Sequence, residues 1–331
     1  MRNRPGLYLR PGRLFVGDAS PGHSRAGPVN LNELRSYRTV SPPPIGASRA
    51  WSFPPAARGR SRGSFVPPSV FALPVSLLSW LSSFRTRAVG TEWMDDPNVE
   101  GAALRTALRD LRRINRLLGG LRASTSVLAP MLAARRSLHV LDVGSGTGDY
   151  LAHFARLGAG RGVRVRATGI DLNPRTVGHG RAWLDATLPP ALRPAAALEV
   201  GDALDLPYPD DAVDVAHAAL FLHHFHGDAA VRLLREMDRV SRHGILVNDL
   251  HRHPLAYLGI WALSRAASFS PMVQHDGPLS VRRGFRRADL QALAGAAGLP
   301  SAEVRWHWAF RWTLSSLGGG QPPSRPGITA P

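Results

Sequence analysis

The densest chemical signal in the sequence is Asp142-Val143-Gly144-Ser145-Gly146-Thr147-Gly148, which follows the apolar stretch Leu138-His139-Val140-Leu141. Glycines at these positions permit a tight strand-to-helix turn and let a ligand approach the backbone. The spacing is G-x-G-x-G. It differs from the G-x-G-x-x-G that seats a dinucleotide pyrophosphate, and no G-K-[ST] ending for a nucleoside triphosphate follows. Asp142 precedes the first glycine, where a carboxylate repels a pyrophosphate but attracts an ammonium, directly or through water. Asp171 closes Thr168-Gly169-Ile170-Asp171, 23 residues after Gly148, and an acid at the end of a second strand accepts both ribose hydroxyls. Asp202, in Val200-Gly201-Asp202-Ala203, can accept the exocyclic amine of adenine. Asp171 or Asp202 alone could equally cap a helix. All three acids in order address an ammonium, a ribose and a base on one ligand.

Downstream, residues 217–253 hold seven histidines, and six of them, His217, His223, His224, His226, His251 and His253, fall at or after the ends of the fourth and fifth strands. Imidazole has a suitable pKa for removing the proton of a phenol or an enol. A single loop histidine is more often structural, but the cluster marks His224 and His251 as the candidate general bases. Asn248-Asp249-Leu250-His251-Arg252 is a dense polar group after an apolar run, and Asp249 can orient a neighbouring histidine. No cysteine is present, which excludes disulfides and thiolate chemistry. No H-E-x-x-H or similar spacing appears, so no metal is expected.

The elements that must position these groups alternate. Strands are expected at 137–143, 163–171, 197–200, 213–218, 244–250 and 303–314. Helices are expected between them at 148–157, 174–187, 229–240 and 287–297. This alternation of six strand segments with helices predicts an α/β fold with a Rossmann-like, doubly wound, mostly parallel sheet, expected to be seven-stranded. Ligands then bind beyond the carboxyl ends of the strands, where the three acids and the histidine loops fall. Leu104, Leu108, Leu111, Ile114, Leu117 and Leu118 recur at three and four, which predicts an amphipathic helix over 99–118 ended by Gly119-Gly120. A second helix follows over 124–134, and the two make an N-terminal helical lid at 89–135. The catalytic domain is expected at 136–315. Within it, residues 254–281 read as a helical cap over an acceptor, rich in Tyr257, Ile260, Trp261 and Met272. Trp306, Trp308, Phe310 and Trp312 alternate and are expected on one face of a continuous strand.

Composition sets the outer limits. Residues 1–88 hold 12 Pro and 8 Gly, with 13 Arg against Asp18 and Glu33. That stretch is expected to form a disordered N-terminal tail or a mis-annotated extension, and 316–331 a disordered C-terminal tail. The uncharged run Ser64–Phe84 contains Pro67, Pro68 and Pro74, so no stable membrane insertion is expected. The net charge of +17 comes from 41 Arg and no Lys. Residues 89–331 carry 28 Arg against 22 acids, only a mild excess. No nucleic-acid partner is expected, and a cytoplasmic setting is.

With these residues in view, the segment of about 136–312 resembles class I S-adenosylmethionine-dependent methyltransferases of the methyltransferase-11 or menaquinone/ubiquinone type. The resemblance implies S-adenosyl-L-methionine as cofactor, held by Asp142, Gly144, Ser145, Gly146 and Gly148 in the first motif. It implies Asp171 on the ribose, Leu172 packed on the adenine, and Asp202 with Ala203 at the base. It places His217 at the methionine moiety. Ser241-Arg242-His243-Gly244 departs from the Lys/Arg-Pro-Gly-Gly of many relatives. For the cofactor carboxylate, Asn115, Arg116 and Arg122 are candidates, Arg116 foremost, since a guanidinium binds a carboxylate bidentately. Trp93-Met94-Asp95, 114–120 and 248–252 look similar to a bacterial subgroup associated with type III polyketide synthases. The expected reaction is methyl transfer to a small aromatic or lipophilic acceptor, with O-methylation preferred. C-methylation of a quinone precursor or RNA methylation are the alternatives.

Overall fold

The computed structural model describes residues 6–10, 13–17, 75–96 and 99–318. Two units separate by internal contacts, with the division at residue 68. In the first, β1 (Gly6–Arg10) and β2 (Arg13–Gly17) pair antiparallel, Gly6 opposite Gly17. Their sequences, Gly-Leu-Tyr-Leu-Arg and Arg-Leu-Phe-Val-Gly, flank Pro11-Gly12, a turn-forming pair. This pairing lies in a stretch expected to hold no element. The rest of the expected tail before Val75, and nearly all of 316–331, falls outside the described residues.

The second unit carries the site. Its sheet contains β3 (Ser137–Val143), β4 (Arg164–Asp171), β5 (Ala196–Val200), β6 (Val215–Ala219), β7 (Ile245–Leu250), β8 (Glu303–His307) and β9 (Arg311–Ser315). The order is β5-β4-β3-β6-β7-β9-β8. The first five strands run parallel, and β9 is antiparallel to both β7 and β8. The chain reverses its direction of travel across the sheet between β3 and β6, which opens a crevice at their carboxyl ends. The seven-stranded, mostly parallel sheet is the expected one. The predicted single strand 303–314 is instead two strands, because the chain turns at Trp308–Phe310 and Phe310 takes φ +55°. Trp306 therefore faces Trp312 across the ladder, and the four aromatics do not share one strand face.

Helices cover both faces: α3 (Gly120–Ala134), α4 (Asp149–Ala159) and α5 (Pro174–Thr187) on one, α6 (Gly227–Val240) and α9 (Arg287–Ala297) on the other. Leu128, Leu151, Phe154 and Val177 pack against Val140 and Ala167 on the first face. Leu233, Leu234, Met237 and Leu290 pack against Ala216, Ile245 and Leu314 on the second. β7 opens on Ile245-Leu246-Val247, apolar and buried on both faces, whereas β4 opens with exposed arginines on either side of Val165.

A third apolar cluster makes the roof. It joins α2 (Gly101–Leu117) to α7 (Pro254–Ala266) and α8 (Pro271–Arg283) through Ala107, Ile114, Ile260, Met272 and Val273. Buried carboxylates fix its parts. Asp110 of α2 accepts from Ser270 N at 2.9 Å. Asp276 of α8 accepts from Trp93 N and Met94 N at 2.9 and 3.1 Å, which docks the 93–95 turn on the cap. Gly119 separates α2 from α3 at φ +72°, where a Cβ would stand 2.7 Å from the carbonyl oxygen of Trp308.

Order begins earlier than expected. α1 (Val75–Ser82) precedes Phe84, which is 1% exposed, so the boundary at residue 88 is too late. Pro, Arg and Ser dominate the composition there and hide a short apolar run that has a partner surface on the cap. Among the described residues no single helix is long and apolar enough to cross a membrane.

Candidate active site

Beneath the roof lies a cavity of about 1180 Å³, bounded by the β3 loop, the ends of β4, β5 and β6, and the helices α2, α7 and α8. The sequence explains its floor. Gly144 takes φ +68° so that the chain can turn out of β3, and a Cβ there would stand 2.2 Å from the ring of Phe221. Ser145 N bonds Ile170 O at 2.9 Å, which ties the loop to β4. Asp171 then clamps it: Oδ2 accepts from Gly146 N at 2.9 Å and Oδ1 from Asn173 N at 3.0 Å. Burial pushes the Asp171 carboxyl up, against the pull of those two backbone N–H groups. Each oxygen keeps a further lone pair for a diol.

Asp142, Gly144, Ser145, Gly146, Asp171, Leu172, Asp202, Ala203 and His224 all line this cavity, as the sequence pattern anticipates. Leu172 presents an exposed apolar side chain, as a packing surface for a flat base requires. Four assignments change. Gly148 does not line the cavity; at φ +75° it starts α4. Arg116 is exposed on α2 and does not line this cavity; it borders a separate one with Arg112, Arg113 and Arg156. Arg112, one turn earlier, is the arginine that reaches the cofactor loop, donating to Thr147 Oγ1 at 2.9 Å. The two share a helix face but stand about 6 Å apart along the axis.

His217 is the third change. It lies within β6, is 0% exposed and does not line the cavity. Its Nδ1 donates to Asp142 Oδ1 at 2.7 Å, and its Nε2 lies 2.8 Å from Ser124 Oγ. Ser145 Oγ donates to Asp142 Oδ2 at 2.7 Å. His217 thus holds Asp142 from behind the cavity wall. His251 is the fourth. It packs among His253, Phe310 and Trp312, away from the cavity. Burial and the neighbouring His253 push it down to about 4, so it stays neutral, but it has no reach to the chamber.

Other residues now enter. Arg311, at the start of β9, is 1% exposed and lines the cavity. Its Nη2 donates to Asn115 Oδ1 at 3.0 Å, and its Nε is buried with no partner. A buried guanidinium beside no carboxylate among the described residues calls for an anionic ligand, because an uncompensated charge is costly there. Arg311 with Asn115 and Arg112 forms a receptor suited to an α-carboxylate, next to the Asp142 carboxylate suited to the α-ammonium. Arg311→Met should raise the dissociation constant for S-adenosylmethionine by about tenfold to a hundredfold, the loss of one charge-assisted contact. Calorimetry checks this, and an unchanged constant removes Arg311 from the cofactor site.

The opposite pole of the cavity holds Glu92, Asp95, His223 and His224. Asp249 accepts from His223 Nδ1 at 2.7 Å and from His223 N at 3.0 Å, the orienting role foreseen for it. Burial alone lowers the imidazole of His223, yet the carboxylates of Asp249 and Glu92 push it up to about 9. His224 Nδ1 sits 2.9 Å from Asp95 Oδ1. Arg87 and Arg283 donate to the carbonyls of His223 and His224 and fix the loop. No sequence signal could pair Glu92 with His223, since 131 positions separate them.

A doubly wound sheet whose switch-point crevice gathers Asp142, Asp171, Asp202 and a buried arginine suits a nucleoside that carries an ammonium and a carboxylate. A family described as a methyltransferase domain matches residues 140–244. The demethylmenaquinone methyltransferase of Roseiflexus sp. (strain RS-1) is 37% identical over 198 residues, covering 56% of this chain and 76% of that protein. The ajmaline N-methyltransferase of Rauvolfia serpentina is 30% identical over 121 residues, covering 36% of this chain and only 38% of that protein. A solved S-adenosylmethionine-dependent methyltransferase from Aquifex aeolicus aligns with a TM-score of 0.44 at 17% identity, over 63% of this chain and 95% of that one. The chain belongs to the class I S-adenosylmethionine-dependent methyltransferases, and S-adenosyl-L-methionine is its cofactor.

Proposed function

We propose that the enzyme transfers the methyl group to the hydroxyl of a small, lipophilic phenolic acceptor. The observation that carries this is the shape of the chamber. Its volume of about 1180 Å³ exceeds the upper range of single-ligand pockets, about 1,000 Å³. Room therefore remains beside the cofactor. Part of the wall is apolar, from Leu111, Ile114, Leu255, Ile260, Val273 and Val281, and the same cavity is lined by the polar group of Glu92, Asp95, His223 and His224. An apolar body with one ionisable group fits such a space.

The cofactor supplies, when bound, a methyl group on a sulfonium that leaves as a neutral thioether. What the chain must add is alignment, dryness and a place for one proton. Asp142, Asp171 and Arg311 fix the donor. The roof of α2, α7 and α8 excludes water. His224, with Nδ1 held by Asp95, keeps Nε2 for the acceptor hydroxyl. His224→Ala should lower kcat on a phenolic acceptor by about a hundredfold while cofactor affinity stays the same. His251→Ala should leave turnover within about twofold, since packing alone is altered. Steady-state assays with labelled cofactor read both, and normal turnover in His224→Ala removes that residue from the chemistry.

C-methylation of a quinone precursor is the second reading, favoured by the 37% identity to a demethylmenaquinone methyltransferase. Proton nuclear magnetic resonance of the product separates a methoxy group from a ring methyl. We further propose a cytoplasmic enzyme that acts on polyketide-derived phenols and uses no nucleic acid. The Trp93-Met94-Asp95 and Asn248-Arg252 segments support the subgroup, and the docking of Asp95 against His224 gives the first of them a place at the acceptor pole.

A further inference from the structure

We infer that Glu92, His223 and His224 form a binding site for a divalent transition-metal ion at the acceptor pole of the cavity. Three independent observations support it. First, one donor atom from each residue lies within 4.8 Å of those of the other two. His223 Nε2 and Glu92 Oε1 stand 3.5 Å apart. Two ligands each about 2.1 Å from an ion, at a tetrahedral angle, stand about 3.4 Å apart.

Second, both of those atoms are buried with no hydrogen bond of good geometry, held only by their own 3.5 Å ion pair and by Arg283 at 3.3 Å from Glu92 Oε1. The side chains are 2% and 6% exposed, so solvent does not supply one. Buried polar atoms are almost always satisfied, and an unfilled pair aimed at one point marks a missing ligand. Third, each imidazole is already anchored by a carboxylate on Nδ1, His223 by Asp249 at 2.7 Å and His224 by Asp95 at 2.9 Å. This carboxylate-histidine arrangement is what orients metal-ligating imidazoles and leaves Nε2 to the ion.

Arg283 is the competing cation, with Nη1 3.3 Å from Glu92 Oε1. Asp95 Oδ2, 3.1 Å from the same nitrogen, can retain it when the ion binds. Two imidazoles and one carboxylate suit zinc and the neighbouring first-row ions, and they leave a coordination position open to the chamber. The chemical use of that position rests on the phenolic-acceptor reading; the existence of the site does not. With the ion bound, His224 Nε2 is a ligand and no longer the base; an acceptor hydroxyl that takes the open position gives its proton to bulk solvent as it enters, the oxygen keeps the bonding pair, and no oxidation state changes.

The test uses the untagged full chain, stripped by chelator dialysis and then titrated with zinc chloride in a calorimeter, without acceptor. One zinc ion per chain is the expected stoichiometry, confirmed by elemental mass spectrometry. Glu92→Gln, which keeps the side-chain shape, should abolish that site. Asp249→Asn should weaken it by about tenfold to a hundredfold. Unchanged affinity for S-adenosylmethionine serves as the folding control for both. No stoichiometric zinc in the wild type, or wild-type affinity in folded Glu92→Gln, overturns the proposal. A chain that binds one zinc ion yet methylates no phenol upholds the site and overturns only the acceptor reading.

Discussion

Replacing Asp171 by Ala should raise the dissociation constant for S-adenosylmethionine by about two to three orders of magnitude, read by calorimetry on the purified chain. A hydrogen bond to a charged group is worth about 1.5–3 kcal/mol, and a ribose diol makes two. Their loss is about 3–4 kcal/mol after relaxation, which is a factor of about 10² to 10³. The substitution also frees Gly146 N and Asn173 N, so the cofactor loop loses its clamp as well as its ribose partner. Asp171→Asn is the milder variant: its single amide oxygen can still accept from one of Gly146 N and Asn173 N, while its NH2 faces the other and offers the diol donors in place of an acceptor. Unchanged affinity in both variants would sink the ribose assignment.

A chain that begins at Val89 should lose about half of its stability. Phe84 is fully buried, its ring edge-on to Trp80 at 5.1 Å and to Tyr257 at 5.8 Å. Removing one such phenyl costs about 3–5 kcal/mol against a total of about 5–15 kcal/mol for a domain. The shortened chain also strips Arg252, a buried arginine, of the carbonyls of Phe84 and Arg85, at 2.9 and 3.2 Å. Arg87 is lost with it, and so is its bond to His223 O at 2.9 Å. The consequence reaches the acceptor pole, which that arginine helps to fix. Urea unfolding monitored by fluorescence checks the loss. Phe84→Ala in the full chain should reproduce about 3–5 kcal/mol of it. A midpoint unchanged by the truncation would return residues 75–88 to the status of a tail.

The contrast between these two residues shows what a sequence discloses. Asp171 was legible because everything it needs is local: a strand before it, a helix after it, and a glycine loop one crossover away. The same holds for Asp142, Asp202 and the sheet itself, whose apolar runs are buried on both faces. Phe84 was not legible, because its partners Tyr257 and Arg282 belong to a cap nearly two hundred positions away. Arg311 was hidden for a related reason. As part of one long strand it had no special place; the turn at Trp308–Phe310 brings it to the carboxyl edge of the sheet. Arg116 was misplaced by one helical turn, an error that heptad-like spacing cannot correct without the neighbouring Thr147. Among the histidines, the cluster was evident, but which rings face the chamber depends on Asp249, Asp95 and Glu92. Only the folded chain brings these three carboxylates together.

The hydrogen bond between Arg311 and Asn115 joins positions 196 residues apart, across the cavity that receives the cofactor. A ligand carboxylate bound at this pair would touch the first lid helix and the last sheet hairpin at once, and so act as a removable cross-link between the two ends of the catalytic unit. Ligand that binds only the folded state at a hundred times its dissociation constant adds about 2.7 kcal/mol. That gain accrues to the closed roof. Amide exchange should therefore slow together in α2 and β9 when S-adenosylmethionine is added, though neither segment is near the other in the chain.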